Sequence, residues 1–236
     1  MPRRTKLQRY QDILSLPNVS SLHHYRHGDH APVRGNWKEV FGNSNPITLE
    51  LACGKGEYAT GLAERFPDRN FLGLDIKGDR IWKGARHALE RELGNVHFLR
   101  TRIDHIANYF APGEVEEIWI TFPDPFLKKN RRRKRLTHPE FLNRYYSFLQ
   151  PDGTIHLKTD SDRLFDFTHD VVKIFNLPVR NVIPDIYGSD RIPETLRIQT
   201  YYEKKHVNSG KSIKYIAFGL NDSIRDFNRP ELDQLT

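Results

Sequence analysis

The chain has 236 residues, 28% of them charged and 37% hydrophobic, which suits one ordinary domain with a real core. No run approaches the ~18–20 apolar residues of a membrane span, and the opening Met1-Pro2-Arg3-Arg4-Thr5-Lys6 leads into polar residues rather than an apolar leader. A net charge of +7 and an isoelectric point near 9.4 suggest a polyanionic partner, provided that the cations cluster. A single cysteine, Cys53, excludes an internal disulfide and fits a reducing, cytoplasmic compartment.

Residues 1–35 read as a basic arm ahead of a domain spanning 36–236. His23, His24, His27 and His30 could ligate a metal by number, but they have no cysteine partner and no known ligand spacing, so no metal is expected. From Ile47 onward short β-rich runs alternate with segments of helical period. Strands are expected at 47–52, 70–75, 96–100, 115–122, 154–159 and 212–220, and helices at 58–66, 77–93, 103–110, 139–149 and 162–175. In the second of these helices Ile81, Ala85, Leu89 and Leu93 form one apolar stripe. Phe141, Tyr145, Tyr146 and Phe148 read as core rather than a base-stacking platform. Pro67-Asp68 and Pro151-Asp152-Gly153 mark boundaries, and 178–210 reads as loop, with the last strand closing one edge of the sheet. The alternation predicts an α/β, doubly wound, mostly parallel sheet.

Ligands bind such sheets outside the carboxyl ends of the strands. The first strand ends in Glu50-Leu51-Ala52-Cys53-Gly54-Lys55-Gly56-Glu57, where Gly54 and Gly56 let the backbone approach a ligand closely. The second ends at Asp75, nineteen residues after Gly56, where a carboxylate can accept from both hydroxyls of a ribose. Together they point to an adenosine-bearing ligand. The Gly-x-Gly-x-x-Gly fingerprint of a nicotinamide dinucleotide is missing, and so is a phosphate-binding lysine loop. A cationic sulfonium suits a turn entered by Glu50 better than a pyrophosphate does.

The fourth strand ends in Thr121-Phe122-Pro123-Asp124-Pro125-Phe126. An aspartate between two prolines has a restrained backbone and therefore a fixed aim. Lys128, Lys129, Asn130, Arg131, Arg132, Arg133, Lys134 and Arg135 follow, seven cations in eight residues. Most charge runs are solvated faces, but this one follows a rigid acidic turn at a strand end, and nucleic-acid contact is the stronger reading. Cys53 as a covalent nucleophile is disfavoured because it lies inside the cofactor turn.

These segments resemble the bacterial tRNA (guanine-N7-)-methyltransferase family, which has a Glu-x-Gly-x-Gly-x-Gly turn and a Phe-Pro-Asp-Pro-Trp segment running into Lys and Arg. Lys158-Thr159-Asp160 and Thr200-Tyr201-Tyr202-Glu203 match two later motifs in order, and Lys6-Leu7-Gln8-Arg9-Tyr10 and Leu16-Pro17-Asn18-Val19 match its N-terminal arm. The resemblance implies a class I, Rossmann-like methyltransferase fold with a basic RNA-facing arm. It also implies S-adenosylmethionine as cofactor, tRNA as partner, no membrane association, and a monomer or homodimer. The implied reaction is methylation of guanine N7, at the variable-loop guanosine of position 46.

By resemblance Asp124 lies at the reaction centre. Glu50, Gly54, Gly56, Asp75 and Asp124 contact the cofactor, Lys128, Asp160, Thr200, Tyr201, Tyr202 and Glu203 bind substrate, and 130–135 meets RNA. Three departures stand out: Ala52 replaces the first glycine of the turn, Phe126-Leu127 replaces Trp-Pro, and Arg102 with Asp104 occupies the place of the acidic residue that meets the cofactor's base. A modest backbone shift is expected to absorb Ala52. The alternatives are a class I methyltransferase acting on another RNA or DNA site and a non-catalytic RNA-binding module. The retained pair Glu50 and Asp75 disfavours the second.

Overall fold

The computed structural model describes residues 4–22, 29–227 and 229–235, which fall into two compact units, Met1–Ala111 and Pro112–Thr236. The first unit holds four parallel strands, β1 (Val19–Ser21), β2 (Ile47–Leu51), β3 (Asn70–Asp75) and β4 (Val96–Arg100), in the order β1-β4-β3-β2. Every residue of β2 and β3 is buried, the burial expected of a parallel sheet covered on both faces. The connecting helices are α1 (Lys6–Asp12), α2 (Trp37–Phe41), α3 (Glu57–Ala63) and α4 (Gly78–Glu90).

The described part of the N-terminal arm is built into this unit. Its helix α1 opens on a capping box, in which the Thr5 hydroxyl accepts from Gln8 N–H and the Gln8 side chain accepts from Thr5 N–H. The same segment lies so close to α4 that a Cβ on Gly78 would meet Ile13 at 2.7 Å and Tyr10 at 2.9 Å. Strand β1 then pairs with β4. Of the histidine patch, His30 is exposed, and His23, His24 and His27 lie outside the described residues. On α4 the buried stripe is Gly78, Ile81, Gly84, Ala85 and Ala88. Leu89, expected on that stripe, is 39% exposed, because two small residues, Gly84 and Ala88, take the inner positions.

The second unit contains β5 (Val115–Thr121), α5 (Pro139–Tyr146), β6 (Leu149–Thr159), α6 (Asp162–Ile174), β7 (Val179–Ile183), α7 (Tyr201–Asn208) and β8 (Lys214–Phe218). Strands β5 and β6 are parallel with Thr121 opposite Lys158, while β8 runs antiparallel to both β6 and β7. The last strand is therefore not an edge, contrary to the sequence expectation. The edge is β7, inside the stretch read as loop. Its residues are exposed almost throughout, so no buried alternation announced it. The turn signal Pro151-Asp152-Gly153 also does not interrupt β6, which bulges through it. Phe141, Tyr145 and Phe148 are core, as expected, and Tyr146 sends its hydroxyl to Asp222 at 2.8 Å.

Candidate active site

In the first unit the chain leaves β2 through a turn in which Ala52, Gly54 and Gly56 all have left-handed backbones, with φ of 54°, 57° and 64°. Ala52 thus has the left-handed conformation that favours glycine, at a strain of ~1–2 kcal/mol. The two glycines differ in purpose. A Cβ on Gly54 would meet nothing within 4 Å, which leaves the backbone open to a ligand. A Cβ on Gly56 would stand 2.3 Å from Cε1 of Phe98, whose ring fills a slot also bounded by Gly73 and Gly84. Gly56 therefore lets the turn close over its own core.

Two carboxylates hold this turn. Glu50, 3% exposed, accepts from Ala59 N–H at 2.9 Å, and so ties the end of β2 to the first turn of α3. Asp75 accepts from Gly54 N–H at 2.9 Å and from Lys77 N–H at 2.8 Å, linking the turns after β2 and β3. Each Asp75 oxygen keeps a second lone pair, so acceptance from a ribose remains open. Between them lies Cys53. Burial pushes its thiol pKa well up, and the Glu50 and Asp75 carboxylates push it further, so it stays protonated and non-nucleophilic at neutral pH. Arg102 and Asp104, at the turn after β4, are both exposed and paired with each other at 3.3 Å.

The second unit carries the acidic loop and the cations. Phe122 and Phe126 have φ of 48° and 40°, two left-handed non-glycine residues flanking Pro123-Asp124-Pro125. Such backbone persists only where the surroundings over-determine it. Phe122 N–H donates to Lys158 O at 2.8 Å, and the Asp124 carboxylate accepts from Phe126 N–H at 3.0 Å, leaving Asp124 exposed. The cationic run forms a 3-10 turn over Lys129–Lys134. Lys128, Lys129, Asn130, Arg131, Arg133 and Lys134 are exposed and Arg132 is half-buried. Arg131 lies over the Phe126 ring at 5.9 Å and Arg133 pairs with Glu140 at 3.7 Å.

Arg135 departs from its neighbours. It is fully buried, its guanidinium lies 4.4 Å from the Phe167 ring, and it donates to Pro125 O at 3.0 Å and Phe126 O at 3.3 Å. The expectation that Arg135 meets RNA is corrected: with no exposed surface it cannot reach a phosphate.

The later motifs converge on the same strand ends. Asp160 accepts from Lys211 Nζ at 2.6 Å and lies 3.4 Å from His206 Nδ1, and the His206 ring stacks on Phe122. Asp124 and Asp160 therefore follow paired strand ends. Thr200 caps α7, its hydroxyl accepting from Glu203 N–H. Tyr201 and Tyr202 face outward at 57% and 50% exposure. Glu203 turns inward, fully buried, to Lys158 Nζ at 2.7 Å and the Tyr187 hydroxyl at 2.7 Å. Lys158 also donates to Leu196 O and Ile198 O at 2.8 and 3.1 Å. Burial draws the Lys158 pKa down and Glu203 opposes it, while three acceptors suit the ammonium form. Glu203 thus anchors the segment ahead of α7, and the expectation that it binds substrate is corrected, because its side chain has no exposed surface. The motif Lys158-Thr159-Asp160 included Lys158 without giving it a role, and nothing in the sequence singled out Tyr187, His206 or Lys211.

A family model described as "Putative methyltransferase" matches residues 44–216. The tRNA (guanine-N(7)-)-methyltransferase of Bacteroides thetaiotaomicron is 47% identical over 92% of this chain and 86% of its own length. The Porphyromonas gingivalis protein of that name is 48% identical over 86% and 83%, and that of Christiangramia forsetii 44% over 92% and 99%. Among solved structures, the 16S rRNA methyltransferase KamB aligns with a TM-score of 0.60 at 13% identity, covering 83% of this chain and 96% of its own. The 16S rRNA (adenine(1408)-N(1))-methyltransferase of Catenulisporales acidiphilia gives 0.57 at 14% identity, over 84% and 96%. At such low identity these two establish the class I methyltransferase fold and nothing finer. The sequence relatives go further: at 44–48% identity over most of their length, the chain belongs to the tRNA (guanine-N(7)-)-methyltransferase family.

Proposed function

We propose that this protein transfers a methyl group from S-adenosylmethionine to N7 of a guanine in tRNA, the variable-loop guanosine at position 46, in the cytoplasm. The observation that carries this reading, beyond the names of the relatives, is the exposed Asp124 carboxylate on a conformationally restrained loop that leads into exposed cations.

The residues of the first unit fit the cofactor. Gly54 leaves its backbone open, Asp75 can accept from ribose hydroxyls, and Glu50 fixes the turn that carries them. No helix is long and apolar enough to cross a membrane among the described residues. When bound, S-adenosylmethionine supplies an electrophilic methyl group on a sulfonium.

Guanine N7 carries an in-plane lone pair and no proton, so no general base acts before attack. The product ring is cationic, and Asp124 stabilises the positive charge as it develops. Asp160 accepts from guanine N–H groups that adenine lacks, and Lys128 with the exposed cations of the 3-10 turn holds the phosphates. Tyr201 and Tyr202 present aromatic faces to the substrate. Because N7 faces the deep, narrow groove of A-form RNA, the target base must be exposed or extruded.

Mass spectrometry of nucleosides from tRNA incubated with protein and cofactor tests the proposal. The expected product is 7-methylguanosine, lost when the guanosine at position 46 is replaced. A methylated adenosine, or an undiminished product from the replaced tRNA, overturns it.

A further inference from the structure

We infer that Arg135 is a positioning residue that holds the Asp124 loop in its strained conformation and acts on methyl transfer through Asp124. The inference rests on the reading of Asp124 as the group facing the guanine. Its own basis is the arrangement around one buried side chain.

The loop from Phe122 to Phe126 has unusual needs. Its two prolines supply no N–H donors. Its two left-handed phenylalanines are strained, and the chain relaxes out of such backbone unless something outside the loop prevents it. Within the loop only the hydrogen bond from Phe126 N–H to the Asp124 carboxylate holds the turn, and that bond aims the carboxylate as well as closing the loop. Two successive carbonyls, Pro125 O and Phe126 O, must then be satisfied from elsewhere. The guanidinium of Arg135 supplies donors to both, Nε to the first and a terminal nitrogen to the second.

The planar fork spans two adjacent carbonyls in a way that a single ammonium cannot. Phe167 forms a shelf beneath the guanidinium at 4.4 Å. Backbone bonds fix the clamp at its base: Arg135 N–H donates to Arg132 O at 3.0 Å and His138 N–H to Arg135 O at 2.9 Å. The last cation of the run thus faces inward while its neighbours face solvent. The same segment carries the RNA-facing charges and the support of the catalytic loop, so a shift in one is transmitted to the other.

The test is R135K, compared with D124N and with the double variant. Single-turnover methylation of bound tRNA should fall about 10- to 100-fold in R135K, since small displacements of reacting groups cost on that order. The tRNA Kd and its salt dependence should stay within about twofold of wild type, because no phosphate contact is lost. In the D124N background R135K should have almost no further effect, the non-additivity expected of residues acting as one unit. Hydrogen exchange at the Phe126 amide should quicken in R135K. This readout reports the clamp even if the protein were to methylate something other than guanine N7. If R135K does not fold, Phe167→Leu removes the shelf from beneath the same guanidinium and carries the same expectations. Weakened tRNA binding with a flattened salt slope and an unchanged rate would show Arg135 to be an RNA contact. Unchanged exchange at Phe126, or rate losses that multiply in the double variant, would equally overturn the inference.

Discussion

The two glycines of the turn after β2 have separable purposes, and alanine at each position distinguishes them. At Gly56 a Cβ would approach Phe98 Cε1 to 2.3 Å and Cζ to 2.7 Å on a backbone with φ of 64°. The ring has little room to swing away, because it also packs against the bare faces of Gly73 and Gly84, so closely that a Cβ added at either would stand 2.8 or 2.9 Å from it. The left-handed alanine costs ~1–2 kcal/mol, and forcing an extra methyl into a packed core adds ~1–3 kcal/mol. The sum, about 2–5 kcal/mol, corresponds to a fall in Tm of roughly 4–20 °C for a chain of this size. At Gly54 the same backbone term applies with φ of 57°, but a Cβ meets nothing within 4 Å, so the stability loss stops near 1–2 kcal/mol. On the proposed function the new methyl stands where the cofactor approaches, and S-adenosylmethionine affinity should fall at least tenfold, about 1.4 kcal/mol. Thermal scans without ligand and calorimetric titration with the cofactor measure both effects. A Gly56→Ala protein as stable as wild type, or a Gly54→Ala protein that binds the cofactor normally, would refute the reasoning.

Asp75→Ala should weaken cofactor binding by ~1.5–3 kcal/mol, the worth of charge-assisted hydrogen bonds, and leave tRNA binding intact; calorimetry showing unchanged affinity removes Asp75 from the site. Neutralising Arg131, Arg133 and Lys134 together should lower the log–log salt slope of tRNA binding by about 0.7 per lost contact; a wild-type slope returns the run to a solvated face. Asp124→Asn should slow single-turnover methylation about 10²- to 10³-fold with little change in tRNA Kd, and a near-normal rate leaves the loop a structural turn. Burial lowers the His97 pKa to about 4, so between its ordinary value of ~6.5 and pH 4 the unfolded state binds the extra proton. Stability is therefore lost as pH falls through that window, by about 3 kcal/mol from this residue. His97→Gln should flatten the stability–pH curve there, leaving the share from His138, whose pKa burial and nearby arginines also lower to about 4. Identical slopes in wild type and variant discount His97.

The sequence by itself located strands at 47–52, 70–75, 96–100 and 115–122, within one residue of the observed ends, because buried parallel strands are rich in apolar residues and the chain alternates such runs with helical periods. It also placed Glu50, Gly54, Gly56, Asp75 and Asp124 at strand ends, since strand, turn and helix are local facts. What depended on distant partners was hidden. The edge strand β7 buries too little to leave a pattern, and β8 became interior only by pairing on both sides. Ala52 kept a left-handed backbone that composition alone does not demand. Arg135 and Lys158 look like solvated cations in the sequence. Only the tertiary structure turns them inward, because a buried charge is tolerable only where acceptors surround it. For Arg135 those acceptors are Pro125 O and Phe126 O across its own loop, and for Lys158 they are Glu203, Leu196 O and Ile198 O, remote in the chain and brought to it by folding.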